Sequence, residues 1–419
     1  MLFKKKLIIY ILFTSTLFVG LYFNENSSGG AKIDGLFLMP YIESFSLDFQ
    51  MGFTKFLERG GSYIHSPVHY IITGFFLNIF NSILVVKIIY ILACSSLPLI
   101  LHSIIKKKYH LDNIYIFYLS SIIFFSPYFR SSGIWLLADN LSLIFFSLSV
   151  LFYIKSINDK KEINFFLCVL FLVLCSYVRY YYAIFIIFYL VNFFRNISTK
   201  LFIKLLLECL ILSIPAIVYF AYVIINYNFL NLIIDKSSVN FLQNSLIILS
   251  LIFFYIFPIV FFEIKKIFLQ QKFNKKYLIT ISIIALIIFL FDKYVDNNLL
   301  LFNQNFSGGG FFVKLFLFLN LDLNFGMLIL SILTLLILDY FFKEDRVNNY
   351  LLLIILLFCF PLSIIYQKYL DPLFIILFFG LINSKKLKDL ILQKKINLII
   401  LYTYSVVFLV ATISIYDFI

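Results

Sequence analysis

Runs of about twenty apolar residues, parted by short gaps that carry lysines, recur along this chain, and each is long enough to cross the hydrocarbon core of a bilayer as one helix. Hydrocarbon offers backbone N–H and C=O groups no water, so such runs must satisfy their hydrogen bonds internally as helices. The expected fold class is therefore all-α, a polytopic integral membrane protein. An apolar share of 63% excludes a water-soluble globule, for which about 45–50% is usual.

Spans of this kind fall near 7–23, 82–104, 114–129, 135–154, 164–178, 180–194, 202–226, 244–264, 277–292, 311–342 (apolar core 325–340), 349–366, 372–384 and 397–416, about thirteen in all. The opening MLFKKK and the apolar run after it look like a signal peptide, but no small-residue cleavage site closes the run. It is read as an uncleaved first helix with its lysines in the cytoplasm. On this threading 24 of the 34 Lys and Arg residues fall in cytoplasmic loops, which is the bias that orients membrane proteins and supports the alternation of helices. The remaining Lys32, Lys55, Arg59, Lys87, Arg130, Arg179, Lys236, Lys293, Lys314 and Lys368 stand singly toward the outer side. They are either headgroup anchors or ligands for an anion.

The net charge of +13 comes from scattered loop lysines with no basic domain, so nucleic acid is not an expected partner. The five cysteines show no metal-ligand or disulfide spacing. No carboxylate lies near the middle of a span, which speaks against an ion-coupled transporter, where an ionisable relay at membrane depth is the rule.

The longest polar interval between apolar runs is Lys32–Tyr70, which holds Asp34, Glu43, Asp48, Glu58, Lys55, Arg59, His65 and His69. A long ionisable segment between membrane helices is the expected functional surface. It is amphipathic without a twenty-residue apolar run, so short interfacial helices along the outer membrane face are expected. Two further outer loops fall at 227–243 and 292–312, and Gly308–Gly310 in the latter is either a phosphate cradle or a plain turn or gate.

Four stretches together resemble the GT-C class of membrane glycosyltransferases. IDGLFLMPYIES (33–44) is similar to the acidic motif after the first helix, above all to the Asp-Glu-Ile-Phe-His-x-Pro run of dolichyl-phosphate-glucose alpha-1,2-glucosyltransferases; Asp34, Phe37 and Pro40 match, while Gly35 replaces the Glu and Leu38 the His. HSPVHYIITGFFLNIFN (65–81) resembles the His-Pro-Pro-Leu-Tyr-Tyr segment of protein-mannosyltransferase-like members, with Ser66 in place of the first Pro. The stretch 124–153 resembles the passage in which an Asp, here Asp139, opens the fourth helix. CSYVRYYYAIF (175–185) puts Arg179 where the glucosyltransferases carry Phe-Arg-Gln-Thr-Asn, although Tyr180–Tyr182 depart from it, and YQKYLDPLF (366–374), with Lys368 and Tyr369, is a weaker echo of a C-terminal Arg-Tyr-x-x-x-Pro.

The resemblance implies a hexosyltransferase that takes its sugar from a polyprenyl (dolichyl or undecaprenyl) phosphate on the outer or lumenal side and gives it to a lipid-linked glycan or similar acceptor. It implies one domain over 1–419, with a GT-C-like catalytic module in 1–200 that includes the outer loop 24–81, and a variable transmembrane module in 201–419. The location implied is a bacterial inner membrane or the endoplasmic reticulum, with a cytoplasmic N-terminus. Asp34 is the expected catalytic base, because an ionised Asp at the membrane face can accept the acceptor's hydroxyl proton; the alternative is an ordinary solvated Asp. Arg179, Arg130 and Lys368 are expected around the leaving phosphate, and Asp139 is expected to orient Arg130 or Arg179, or to bind a divalent cation (Mg or Mn) together with Asp34. His65, Tyr369 and Glu43 complete the substrate-binding candidates. A joint His65–His69 metal site is disfavoured by Pro67 between them. The competing readings are a flippase or transporter of lipid-linked sugars, and a glycan polymerase.

Overall fold

The computed structural model describes residues 2–58, 66–227, 241–265, 267, 308–362, 364–392 and 395–416. Among these every regular element is a helix. They divide into two compact units, Met1–Lys236 with Tyr402–Ile419, and Ser237–Leu401.

The first unit holds α1 (Leu2–Tyr22), α2 (Ala31–Leu47), α3 (Phe49–Glu58), α4 (Val68–Phe80), α5 (Ile83–Tyr109), α6 (Ile114–Ser121), α7 (Pro127–Ile134), α8 (Ala138–Asp159), α9 (Glu162–Val178), α10 (Ile186–Asn196) and α11 (Thr199–Tyr227). The second holds α12 (Phe241–Val260), α13 (Gly310–Phe318), α14 (Leu323–Phe342), α15 (Arg346–Phe358), α16 (Leu373–Gly380) and α17 (Lys385–Leu392), and the division between units falls within α18 (Lys395–Tyr416). Among the described residues seven helices, α1, α5, α8, α11, α12, α14 and α18, are long and apolar enough to cross a membrane.

Those seven coincide with the expected spans 7–23, 82–104, 135–154, 202–226, 244–264, 325–340 and 397–416. Five others (114–129, 164–178, 180–194, 349–366, 372–384) contain helices shorter than eighteen residues, and 277–292 lies outside the described residues. The breaks have local causes that hydropathy does not register. The run 114–129 is divided where Ser126 accepts from the Phe129 N–H and Pro127 takes the first helical position of α7, a place where its missing N–H costs nothing. The run 180–194 begins as a 3-10 turn over Tyr180–Phe185. The run 311–342 is cut before Asp322, whose side chain caps α14.

Within the first unit the basic clusters meet at one end. Lys6 of α1 and Lys106 of α5 both reach Asp112, the latter at 2.7 Å, and the two lysines, Lys106 foremost, hold its carboxyl down at about 2. Asn158 at the foot of α8 donates to the Lys107 carbonyl, and Lys204 of α11 pairs with Glu162 of α9. The threading expected these lysines on one side, and the packing of the first unit places them so. The core of this unit is the α5, α8, α9 group, where Ser142, Ser147 and Ser149 are wholly buried. Small residues let helices approach closely in an apolar solvent, and two cross-bonds follow: Ser149 Oγ donates to the Cys168 carbonyl and Cys175 Sγ to the Ser142 carbonyl.

Candidate functional site

At the end of the first unit away from those lysines, α7 turns into α8 through Trp135–Leu137. Leu136 takes a left-handed backbone (φ 55°), a conformation a branched side chain adopts only when its surroundings impose it. Three neighbours impose it here. The Trp135 indole N–H donates to the Glu25 carbonyl at 2.9 Å, His69 Nε2 donates to the Leu136 carbonyl at 2.7 Å, and the Tyr90 hydroxyl donates to the Leu137 carbonyl. Consecutive residues of one corner are thus tied to the segment after α1, to α4 and to α5. From a fourth side α2 leans on the corner through Gly35, where an added Cβ would lie 2.8 Å from the Trp135 carbonyl oxygen. Lys87 of α5 stands over the Trp135 ring at 4.5 Å.

The corner releases the chain into α8 with Asp139 in its first turn. The Asp139 side chain accepts a hydrogen bond from Arg179 Nη2 at 3.0 Å, and both side chains are nearly closed to solvent. The pairing has a reason beyond proximity: the carboxylate sits at the N-terminal end of α8 and the guanidinium at the C-terminal cap of α9. Each charge therefore meets the helix pole that favours it. Asp139 and Arg179 are also near enough to act electrostatically on His69. That imidazole is wholly buried in α4, which is too short to be a span, and burial pushes its pKa from 6.5 down to about 4. With Nε2 donating, the ring is the neutral tautomer with its lone pair on Nδ1, and Nδ1 has no hydrogen-bond partner.

The expected site residues are therefore distributed as follows. Asp139 and Arg179 come together. Asp34 lies in the first turn of α2, half-buried, next to the Gly35 that abuts Trp135, in a segment where short helices were expected. Glu43 is exposed nine residues further along α2, half a revolution round the helix from Asp34, so the two carboxylates do not share a face. Arg130 does not join Asp139. Its guanidinium is buried against Glu25, with Nε to Oε1 at 2.8 Å and Nη2 to Oε2 at 2.5 Å, and it also donates to Thr16 Oγ1, the Thr16 carbonyl and the Phe124 carbonyl. These bonds occupy its full set of N–H groups. His65 lies outside the described residues.

Lys368 and Tyr369 belong to the second unit, in the 3-10 turn Gln367–Tyr369, with the Lys368 ammonium 5.7 Å and 5.9 Å from the Tyr366 and Tyr369 rings. In the same unit Gly309 and Gly310 take left-handed backbones where the chain turns into α13. The Gly309 N–H donates to the Ile365 carbonyl and the Phe311 N–H to Gln367 Oε1, so these donors face the protein's own oxygens. Among the described residues no group of three or more His, Cys, Asp or Glu side chains gathers to hold a metal ion, and Asp34 and Asp139 are not part of such a group.

Glu25, Tyr90 and Trp135 are the residues of this region that the sequence reading did not single out, and His69 was weighed there only as a metal ligand beside His65. Only Trp135 carried a signal, as the single tryptophan of the chain. Comparison with known protein families finds no family model that matches this chain, and no curated protein matches it.

Proposed function

We propose that the chain is an integral-membrane glycosyltransferase of GT-C type, with a fold of about thirteen spans, that transfers a hexose from a polyprenyl phosphate to a lipid-linked glycan or similar acceptor with inversion. The observation that carries this reading is the buried Asp139–Arg179 pair at the corner against which the Asp34-bearing helix packs. Motif resemblance had nominated Asp34, Asp139 and Arg179 from three separate stretches of sequence. Two of them are in contact, and the third lies on a helix seated on the same corner.

In this reading Asp34 accepts the proton of the acceptor hydroxyl as its oxygen attacks the anomeric carbon. The bond from that carbon to the phosphate oxygen breaks, and the polyprenyl phosphate departs carrying the electron pair. Arg179, held in orientation by Asp139, stabilises the charge that grows on the phosphate. The chemistry takes place on the outer or lumenal side, with the lysine-rich end in the cytoplasm.

The test is reconstitution of the purified protein with radiolabelled polyprenyl-phosphate glucose or mannose and a lipid-linked acceptor. The expected outcome is a new glycosidic product. Label that crosses between leaflets without such a product would replace this reading with a lipid-linked sugar flippase.

A further inference from the structure

Lys204 of α11 pairs with Glu162 of α9 at the lysine-rich end of the first unit. Further from that end a half-open cavity of about 490 Å³ lies between α9, the 3-10 turn Tyr180–Phe185 and α11. Small side chains make it: Ser176 on α9, Ala183 on the turn, and Ser213 and Ala216 on α11 all line it. In hydrocarbon such residues let two helices close on each other, yet here they leave a gap. Pro215, between two of those residues, takes one backbone hydrogen bond out of α11. Three residues before it, the Leu212 carbonyl accepts from the Tyr177 hydroxyl, which crosses over from α9.

The hydroxyls in the wall are already committed to the protein's own backbone. Ser176 donates to the Leu172 carbonyl, Ser213 to the Cys209 carbonyl and Tyr177 to the Leu212 carbonyl. Around them stand Leu172, Val173, Ile217 and Ile224. A sugar, a headgroup or water would give up hydrogen bonds on entering such a space. What lies outside it is hydrocarbon: α11 is of membrane-spanning length, and Ile214, Val218 and Ile225 beside the cavity are 52%, 62% and 77% exposed. A void there forfeits dispersion contacts on its whole lining, and a lipid chain restores them.

Length and direction choose the kind of chain. The lining runs about 12 Å along α9, from Leu172 to Tyr180, and about 22 Å along α11, from Cys209 to Ile224. Those lengths bracket the depth of one leaflet, about 15 Å of a 30 Å core, which is the depth a fatty acyl chain fills and far less than a polyprenyl chain. The face of α9 that meets α8 carries Cys168, Cys175 and Arg179, whereas Ser176 and Tyr177 line the cavity on another face. The cavity therefore does not lead to the Asp139–Arg179 pair.

We propose that this cavity is a lipid site, holding one fatty acyl chain of a membrane phospholipid from the leaflet opposite the lysine-rich end. It does not rest on the glycosyltransferase reading and would hold equally for a flippase.

The experiment uses the full chain in nanodiscs of a phosphatidylcholine with a diazirine in one acyl chain, and compares the parent with A216W, which fills the cavity, and V218W, which points away from it. In native mass spectrometry the parent and V218W should each keep one phospholipid under activation that strips the rest, and retention by A216W should fall about tenfold, the equivalent of ~1.4 kcal/mol of lost contact. Irradiation of the parent should place cross-links on Ser176, Ala183 or Ser213. Equal retention by A216W, or no lipid retained by the parent, would overturn the proposal. Displacement of the phospholipid by equimolar polyprenyl phosphate would also overturn it and give the cavity to the tail of that lipid. If A216W does not fold, as size exclusion would show, the cross-links of the parent decide alone: confinement to outward residues such as Ile214 and Val218 would mean ordinary contact with bulk lipid and no site.

Discussion

Arg179 and Asp139 stand forty residues apart in sequence and 3.0 Å apart in space, at the C-terminal end of one helix and the N-terminal end of its antiparallel neighbour. Each charge meets the helix pole that favours it, and the hydrogen bond between them offsets part of the cost of burying both. Removing either partner leaves the other charge stranded, which costs about 3–5 kcal/mol.

Arg179→Lys keeps the charge and loses the planar fork, so donor binding and turnover should weaken together. Arg179→Ala should be worse and should also lower folded yield, because Asp139 is then buried without its guanidinium. Donor titration and single-turnover transfer on the same purified variants check this, with thermal stability measured beside them. A merely structural pair would lower stability and yield while leaving the specific activity of the folded fraction intact.

Asp34→Asn preserves shape at a half-buried position and removes only the proton acceptor. Transfer should fall by about 10²–10⁴-fold, the usual contribution of a positioned base, with donor affinity and melting temperature little changed. Near-normal transfer by this variant would remove Asp34 from the mechanism.

Glu25→Ala and Arg130→Ala should behave as folding lesions. Each strands the other half of a buried pair, at about 3–5 kcal/mol, and Arg130 already spends its N–H groups on Glu25, Thr16 and Phe124. Size-exclusion profile and melting temperature should report the damage. The apparent donor affinity of whatever protein survives should match the parent; a selective loss of donor binding would reassign Arg130 to the site.

Gly35→Ala tests the seat of α2. Alanine favours a helix interior over glycine by roughly 0.5–1 kcal/mol, but its Cβ would arrive 2.8 Å from the Trp135 carbonyl, and overpacking of this kind costs about 1–3 kcal/mol. The clash should win, and Gly35→Ala should melt lower than the parent. A higher melting temperature would mean that the contact is looser than it stands here.

His69 supplies a pH dependence. Burial lowers its pKa to about 4 in the folded chain from an ordinary value of 6.5, so the unfolded chain takes up the proton first. Stability contributed by the neutral ring is complete above pH 6.5 and declines as the pH falls toward 4, by up to about 3 kcal/mol. His69→Gln retains a donor for the Leu136 carbonyl without titrating. Melting temperature measured at pH 7 and pH 5 should fall more for the parent than for this variant, and equal falls would exclude the mechanism.

Hydropathy and lysine placement made the helical class and the seven long helices legible, because both follow from how the bilayer solvates a backbone. They could not show the corner at 135–137. Trp135, Leu136 and Leu137 are apolar like a span, and what stops the helix there is a set of hydrogen bonds from residues 47–110 positions distant. Asp139 with Arg179 was legible as one of three alternatives, beside Arg130 and a divalent cation shared with Asp34. What decided against Arg130 was Glu25, a lone acid in an Asn- and Ser-rich turn that no local pattern links to a partner 105 residues away.

The corner also fixes a register. Glu25, His69 and Tyr90 hold Trp135, Leu136 and Leu137 in place, so α8 begins from an anchored point and its rotation follows from the number of residues between that anchor and Asp139. One residue inserted there would turn every later side chain of α8 by about 100°, swinging Asp139 off the Arg179 side and dragging Ser142 and Ser149 away from α9. A chain of this fold can therefore drift in the composition of its spans far more freely than in the length of the four residues from Trp135 to Ala138.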